Sequence, residues 1–421
     1  MSKDRLNKKK VVVTIIIFLF IIFMFYFTYR ISSIKSHGNN EEVVLESNEQ
    51  ASEETVPQKK TLEMIAQEFG GTIVENLKPD TCIASKDGKE YTIYDDGEIV
   101  EGRIVPWDGS SVAPAVDEVG NINIYSPSEL KWVSDMVTSG ERNFAGVTIT
   151  IRKNLDFGGR QKEDGTWEGN MWQPVIAYLS EIDQSKLENM KKEKTIGDAE
   201  VVPEENTNVI EADLRRFAGT ILATNVNIRG IYIESDKDYL GLVGFNGGII
   251  QGITIKKSYI KGNTCVGGIA GLNSGKILDC SVVDTEINAK EKVGGICGVS
   301  QENSWIENCT MGEDSAAISE GNFAGGICGY MNNNSAVVSS KNCGTIKGKN
   351  YIGGVVGISF FGGQIVNSSN VDSKIEGEEF VGGISGFNKS QIQNSASKTE
   401  KDTSSYIKGT KIVGGITRYK L

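Results

Sequence analysis

Histidine is almost missing from this chain of 421 residues; the one copy is His37. It lies in a polar stretch, so the rest of the chain cannot build a Ser-His-Asp or Cys-His nucleophile, nor a zinc site of the H-E-x-x-H type. Proline is scarce, with 7 residues against 49 glycines, which excludes a collagen-like chain. No C-x-x-C occurs among the seven cysteines, so no thiolate metal site is expected. Basic residues are in deficit, and a net charge of −11 argues against nucleic acid as a partner. A phosphate loop is missing too: GLNSGKI, 271–277, has the wrong spacing and no Ser or Thr after the lysine. The expectation is therefore no cofactor, no metal and no catalytic residue.

A long apolar run is present near the start. Val11–Tyr29 is charge-free, and at 1.5 Å per residue it would span ~28 Å. The basic residues 1–10 precede it, and the positive-inside bias puts them in the cytoplasm. This predicts a single-pass signal anchor at 11–29, a cell-membrane location and an extracellular bulk. Residues 30–60 are polar and acidic and read as a flexible stalk. Residues 61–106 read as a small α+β unit, with a helix at TLEMIAQEFGG and hairpin signals at Asp87-Gly88 and Asp96-Gly97. No function follows for it. Residues 117–238 read as a cap and first coils. Ser126-Pro127-Ser128-Glu129 opens a capped helix there, and a charged insertion occupies 161–216.

From 239 to 421 the chain repeats. Glycines recur at Gly241, Gly268, Gly295, Gly326, Gly354, Gly383 and Gly415, spaced 27, 27, 31, 28, 29 and 32 residues apart. Such a period means stacked structural units. Two residues before each glycine stand Tyr239, Val266, Val293, Ala324, Ile352, Val381 and Val413. One after stand Leu242, Ile269, Ile296, Ile327, Val355, Ile384 and Ile416. Both columns are expected inside, which needs a bend at the glycine and close approach of neighbouring coils. A second motif has a turn residue at Gly230, Gly252, Asp279, Asn308, Asn342, Asn367 and Asn394. An inward residue follows at Ile231, Ile253, Cys280, Cys309, Cys343, Ser368 and Ser395. Stacked asparagines there could form a hydrogen-bonded ladder. The expected fold class is all-β dominated: a parallel β-helix with a helical N-terminal cap, preceded by one transmembrane helix and the small α+β unit. The cysteine columns are expected to be free thiols in a dry core, with a cross-coil disulfide as the alternative.

At GGIAGLNSGKILDCSV, 267–282, and its copies the array resembles the GLUG-motif repeats. These occur in bacterial surface proteins and in the non-catalytic part of immunoglobulin-A-specific zinc metallopeptidases. The resemblance covers roughly 120–421 and implies architecture. The peptidase activity is not carried over, because H-E-x-x-H is missing. The resulting expectation is a membrane-anchored, non-catalytic bacterial cell-surface protein whose β-helix displays a binding or adhesion surface. Candidate ligands are a glycan or a surface protein. One alternative is a structural or assembly component of the envelope. Another is a polysaccharide lyase or hydrolase, for which Asp236 with Asp238, Asp284 with Glu286, Glu313 with Asp314, and Glu376 with Glu378 and Glu379 are the acidic candidates. Trp305, Phe360 and Phe361 are the obvious outer aromatics.

Overall fold

The computed structural model describes residues 60–174, 216–400 and 404–415. Helix α1, Leu62–Phe69, starts where the Thr61 hydroxyl accepts from the Met64 amide, and it ends at left-handed Gly70. Its apolar face, Leu62, Ile65 and Ala66, packs on an antiparallel sheet of β1 (Thr72–Lys78), β2 (Thr81–Lys86), β3 (Lys89–Tyr94) and β4 (Ile99–Glu101). Helix α2, Pro127–Ser139, is held by a reciprocal capping box between Ser126 and Glu129. Leu130, Val133 and Val137 on its buried face join one continuous core with Ile122, Ile149 and Ile151.

The rest is a β-solenoid of about nine turns. A complete turn holds five short parallel segments. In one turn these cover Lys276–Leu278, two parts of Ser281–Ala289, Glu291–Gly294 and Cys297–Ser300. Each pairs in register with its counterpart in the next turn, so Ile250, Ile277, Ile306, Val337, Ile365 and Ile392 form one ladder. Identical positions are thus ~4.8 Å apart, and each turn covers the apolar face that its neighbour leaves open.

The sequence expectation of a membrane helix is corrected here. Among the described residues no helix is long and apolar enough to cross a membrane. The two helices have 8 and 13 residues, about 12 and 20 Å of rise against a hydrocarbon layer of ~30 Å. The expected fold class, with its leading transmembrane helix, and the expected single-pass cell-membrane location are both overturned on this finding. The run Val11–Tyr29, the basic tail 1–10 and nearly all of the expected stalk 30–60 lie outside the described residues. So does most of the insertion 161–216. Its described start is a short antiparallel pair, Arg160–Gln161 with Trp167–Glu168.

Candidate functional site

The repeat glycines hold the solenoid in shape by leaving space. A methyl group on Gly295 would overlap the Gly326 carbonyl oxygen and the Met311 side chain. On Gly354 it would overlap the Gly383 oxygen and the Asn370 amide. Gly268, Gly326 and Gly383 are closed in the same way, and Gly241 is shut in by the backbone of 267 and 270. Gly415 faces open space. A second set one step earlier, such as Gly267 and Gly353, lies against Gly298 and Gly386 of the following turn, at backbone contact. The fourth and fifth segments therefore pack with no side chain between them. This is why Val266, Ile269 and Ala270 are all buried although a glycine pair separates them.

The register corrects three sequence alignments. Leu240, not Tyr239, pairs with Val266 and is buried; the first repeat is one residue short. Ala336–Val338 pairs with Trp305–Glu307, so Ser339 and Ser340 fill the turn and inward columns that Asn342 and Cys343 were expected to fill. Asn342 instead points inward and donates to Asn370 Oδ1 at 2.7 Å. In the expected turn column Asn308 Nδ2 donates to Asp279 Oδ1 at 3.2 Å, and a second amide stack, Asn342 on Asn370, stands three residues further along the turn. Gly230 and Ile231 belong to a separate corner, in line with Lys257 and Ser258.

Outside the glycine layer the chain carries aromatic rings in left-handed backbone. Phe323, Tyr351 and Phe380 have φ of 64°, 62° and 54°. Bulky residues rarely sit there, and doing so on successive turns costs roughly 1–3 kcal/mol each. The conformation lets the next residue turn inward while the ring stays out. In-register stacking then sets Phe323 on Tyr351 with centroids 5.3 Å apart, and Tyr351 on Phe380 at 4.9 Å, with planes 13° and 9° apart. Tyr330 and Phe387 meet these rings edge-on at 5.8–6.0 Å. Phe360 bridges Tyr330 and Phe387, and Phe361, 66% exposed, stacks on Phe360. Lys292 sits 5.2 Å over Tyr330, and Lys389 lies 5.8 Å from both Phe360 and Phe387. The strip continues into earlier turns as a buried apolar group of Phe245, Cys265, Leu272 and Val299.

Sequence reasoning found Phe360 and Phe361 and missed the ladder. The signal was there: three before Gly268, Gly295, Gly326, Gly354 and Gly383 stand Cys265, Lys292, Phe323, Tyr351 and Phe380. Trp305 is elsewhere, on the first segment, donating to Glu307 at 2.8 Å.

The acidic candidates do not converge. Asp238 accepts from Asn263, Asp284 from Lys257, Glu286 from Asn288, and Glu376 from Lys408. Among the described residues no group of three His, Cys, Asp or Glu could hold a metal ion. Among the described residues an ion cluster joins the β1–β4 sheet to the first turns. Arg229 lies 3.1 Å from Glu98, 3.3 Å from Asp96 and 3.5 Å over the Tyr94 ring. Lys256 and Lys257 add contacts to Glu98 and Asp96. Burial alone would raise the Asp96 carboxyl, but Arg229 and the neighbouring lysines hold it below its ordinary value. Burial pushes Asp156 the other way. All seven cysteines are free thiols.

No protein-family model and no curated protein matches the chain. Among solved structures it is similar to a "putative immunoglobulin A1 protease from Bacteroides ovatus", at 15% identity and a TM-score of 0.40, over 73% of this chain and 86% of that one.

Proposed function

We propose that the chain is a non-catalytic binding module that takes an extended glycan along its outer aromatic strip. The observation that carries this reading is the ladder of Phe323, Tyr351 and Phe380, presented once per turn by strained backbone. A stacked ladder that a solenoid needed for its core would lie inside; this one lies outside a core already filled by aliphatic columns. Sugar rings carry apolar C–H faces that stack on aromatic faces, and a polymer can meet several turns at once. The acidic candidates, of which Asp238, Asp284, Glu286 and Glu376 are each held by a local donor, support a surface that binds without cleaving.

Affinity electrophoresis of the full chain through gels containing dissolved polysaccharides tests this, with an assay for new reducing ends alongside. The expected result is retardation without release, relieved by Phe361→Ser. New reducing ends would overturn the non-catalytic reading. Unretarded migration in every gel would leave the strip as a shield for the glycine layer.

A further inference from the structure

We infer that the glycan is neutral and is read through its hydroxyl groups by an amide column beside the rings; this rests on the glycan-binding reading above. The fourth segment carries that column. Glu291, Asn322, Asn350 and Glu379 stand one turn apart, and the last three come immediately before Phe323, Tyr351 and Phe380. All four are half-buried, so the polar column and the rings share one outer face. The two amides are bonded in one direction. Asn350 Nδ2 donates to Asn322 Oδ1 at 2.8 Å, and Asn322 Nδ2 donates to Glu291 Oε1 at 3.3 Å.

An amide points its oxygen away from its nitrogen. With Nδ2 turned to the earlier turn, Asn350 Oδ1 faces the later one, where its register partner is Glu379. That side chain is an acceptor as well, and its Oε1 is taken by Lys411. Two acceptors thus follow each other along the column. Each Asn Nδ2 also keeps a second hydrogen, because one bond uses one of two. A hydroxyl answers both demands: it donates to Asn350 Oδ1 or Glu379 and accepts from an amide. A sugar can offer hydroxyls at its edge on successive turns, ~4.8 Å apart, while its C–H face lies on the strip. A uronate carboxylate brings only acceptors to a place where Glu291 and Glu379 already stand, and the net charge of −11 adds to the repulsion.

The test sets soluble neutral polymers (mixed-linkage β-glucan, galactomannan and dextran) against their methyl ethers, in which hydroxyl donors are masked and the sugar rings kept. The full chain should bind at least one of the three and bind its ether more weakly, although the ether is the more apolar. Asn350→Ala should lower affinity for that polymer about fivefold and narrow the gap to the ether. Circular dichroism of the variant should match the parent, and the polymer-against-ether comparison decides without any variant. Equal or tighter binding of the ethers overturns the hydroxyl assignment and leaves the glycan-binding reading intact. Retention of polygalacturonate or alginate, with no retention of its carboxyl-reduced form, does the same. A gap that Asn350→Ala leaves undiminished overturns the role of this column. Binding to no polymer, neutral or acidic, overturns both readings.

Discussion

The early and late turns of the solenoid share one backbone and differ in what fills it. In the second segment the early turns point Ile255, Val282 and Met311 inward; the late turns point Asn342, Asn370 and Ser397 to the same place. Outside the glycine layer the column opens on Tyr239, passes through Cys265 and Lys292 and becomes a run of rings at Phe323, Tyr351 and Phe380. The late turns thus combine a polar interior with a continuous aromatic strip outside. The fold tolerates this because what it fixes is volume and register. Each inward side chain ends against an anchor glycine: Val282 at Gly268, Met311 at Gly295, Asn342 at Gly326 and Asn370 at Gly354. An amide can stand there as long as it is hydrogen-bonded, and stacking supplies the partner.

The largest expected effect comes from that fixed volume. Gly295→Ala should destabilise by about 3 kcal/mol, because its methyl meets the Gly326 carbonyl and Met311 with no room to relax. Gly415→Ala, in the same column but facing open space, should stay within about 0.5 kcal/mol. Urea denaturation of both decides the matter. Equal losses would mean that the glycines serve backbone freedom and that space is incidental.

The first turns carry an ion cluster on the second segment, a different face from the aromatic strip of the late turns, and that joint is sensitive to pH. Arg229→Met should cost about 2 kcal/mol at neutral pH, since it leaves Asp96 and Glu98 at the joint with less compensation. The folded pKa of Asp96 is depressed. Its contribution is therefore fully present above the ordinary carboxylate value and is lost as pH falls through the lower, folded value. Asp156, whose folded pKa is raised, runs the other way: its contribution is present in acid and lost as pH rises through the raised value. The Arg229→Met penalty should therefore shrink below pH 4, measured as paired denaturation midpoints. A penalty independent of pH would show that Arg229 acts through packing on Tyr94.

The amide ladder sets the late interior apart. Asn370→Leu keeps the volume but leaves the Asn342 amide without its acceptor, at a cost of about 1.5 kcal/mol. Adding Asn342→Leu should recover part of that, since no stranded amide remains. A double-mutant cycle should give a coupling near 1 kcal/mol. Strict additivity would mean that the two amides do not act as a ladder.

Much of this architecture was legible as a period. The seven glycines, the inward Val and Ile columns and the capped helix at Ser126 each announce themselves by spacing or local chemistry. What misled was alignment on glycine alone. A single residue missing before Gly241 put Tyr239 where Leu240 belongs, and a looser copy at 341–343 hid the fact that Ser339 and Ser340 continue the turn. Inward side chains set the register, and they are recognisable only once turns are stacked. The aromatic strip was hidden for a related reason. Its rings are 28 and 29 residues apart in sequence and become neighbours only through in-register pairing. The ion cluster at Arg229 was not legible, because its acids come from 131 to 133 residues earlier.

The smallest expected effect concerns the inward column in which cysteine gives way to serine along the axis. Cys280 and Cys309 send their thiols to the carbonyls of Leu278 and Glu307, at 3.2 and 3.3 Å. Ser340, Ser368 and Ser395 send hydroxyls to the equivalent carbonyls at 2.9–3.0 Å. The same hydroxyls accept from the turn before, as when Cys309 N donates to Ser340 Oγ at 3.2 Å. Thiol and hydroxyl thus do one job, satisfying the carbonyl at a left-handed corner. Cys309→Ser should cost less than about 1 kcal/mol, and Cys309→Ala more, because it removes the thiol's bond and leaves a gap in the core, while the Glu307 carbonyl keeps the Asp279 amide at 3.0 Å. Burial pushes the Cys309 and Cys297 thiols well up, so native protein at pH 8 should not label at either. Half-buried Cys343 should label first. Intact mass after a timed thiol reagent reads both. A mass two hydrogens short per pair before treatment, with Cys280 and Cys309 protected from reagent even when unfolded, would mean that the column is cross-linked and that serine is no substitute for it.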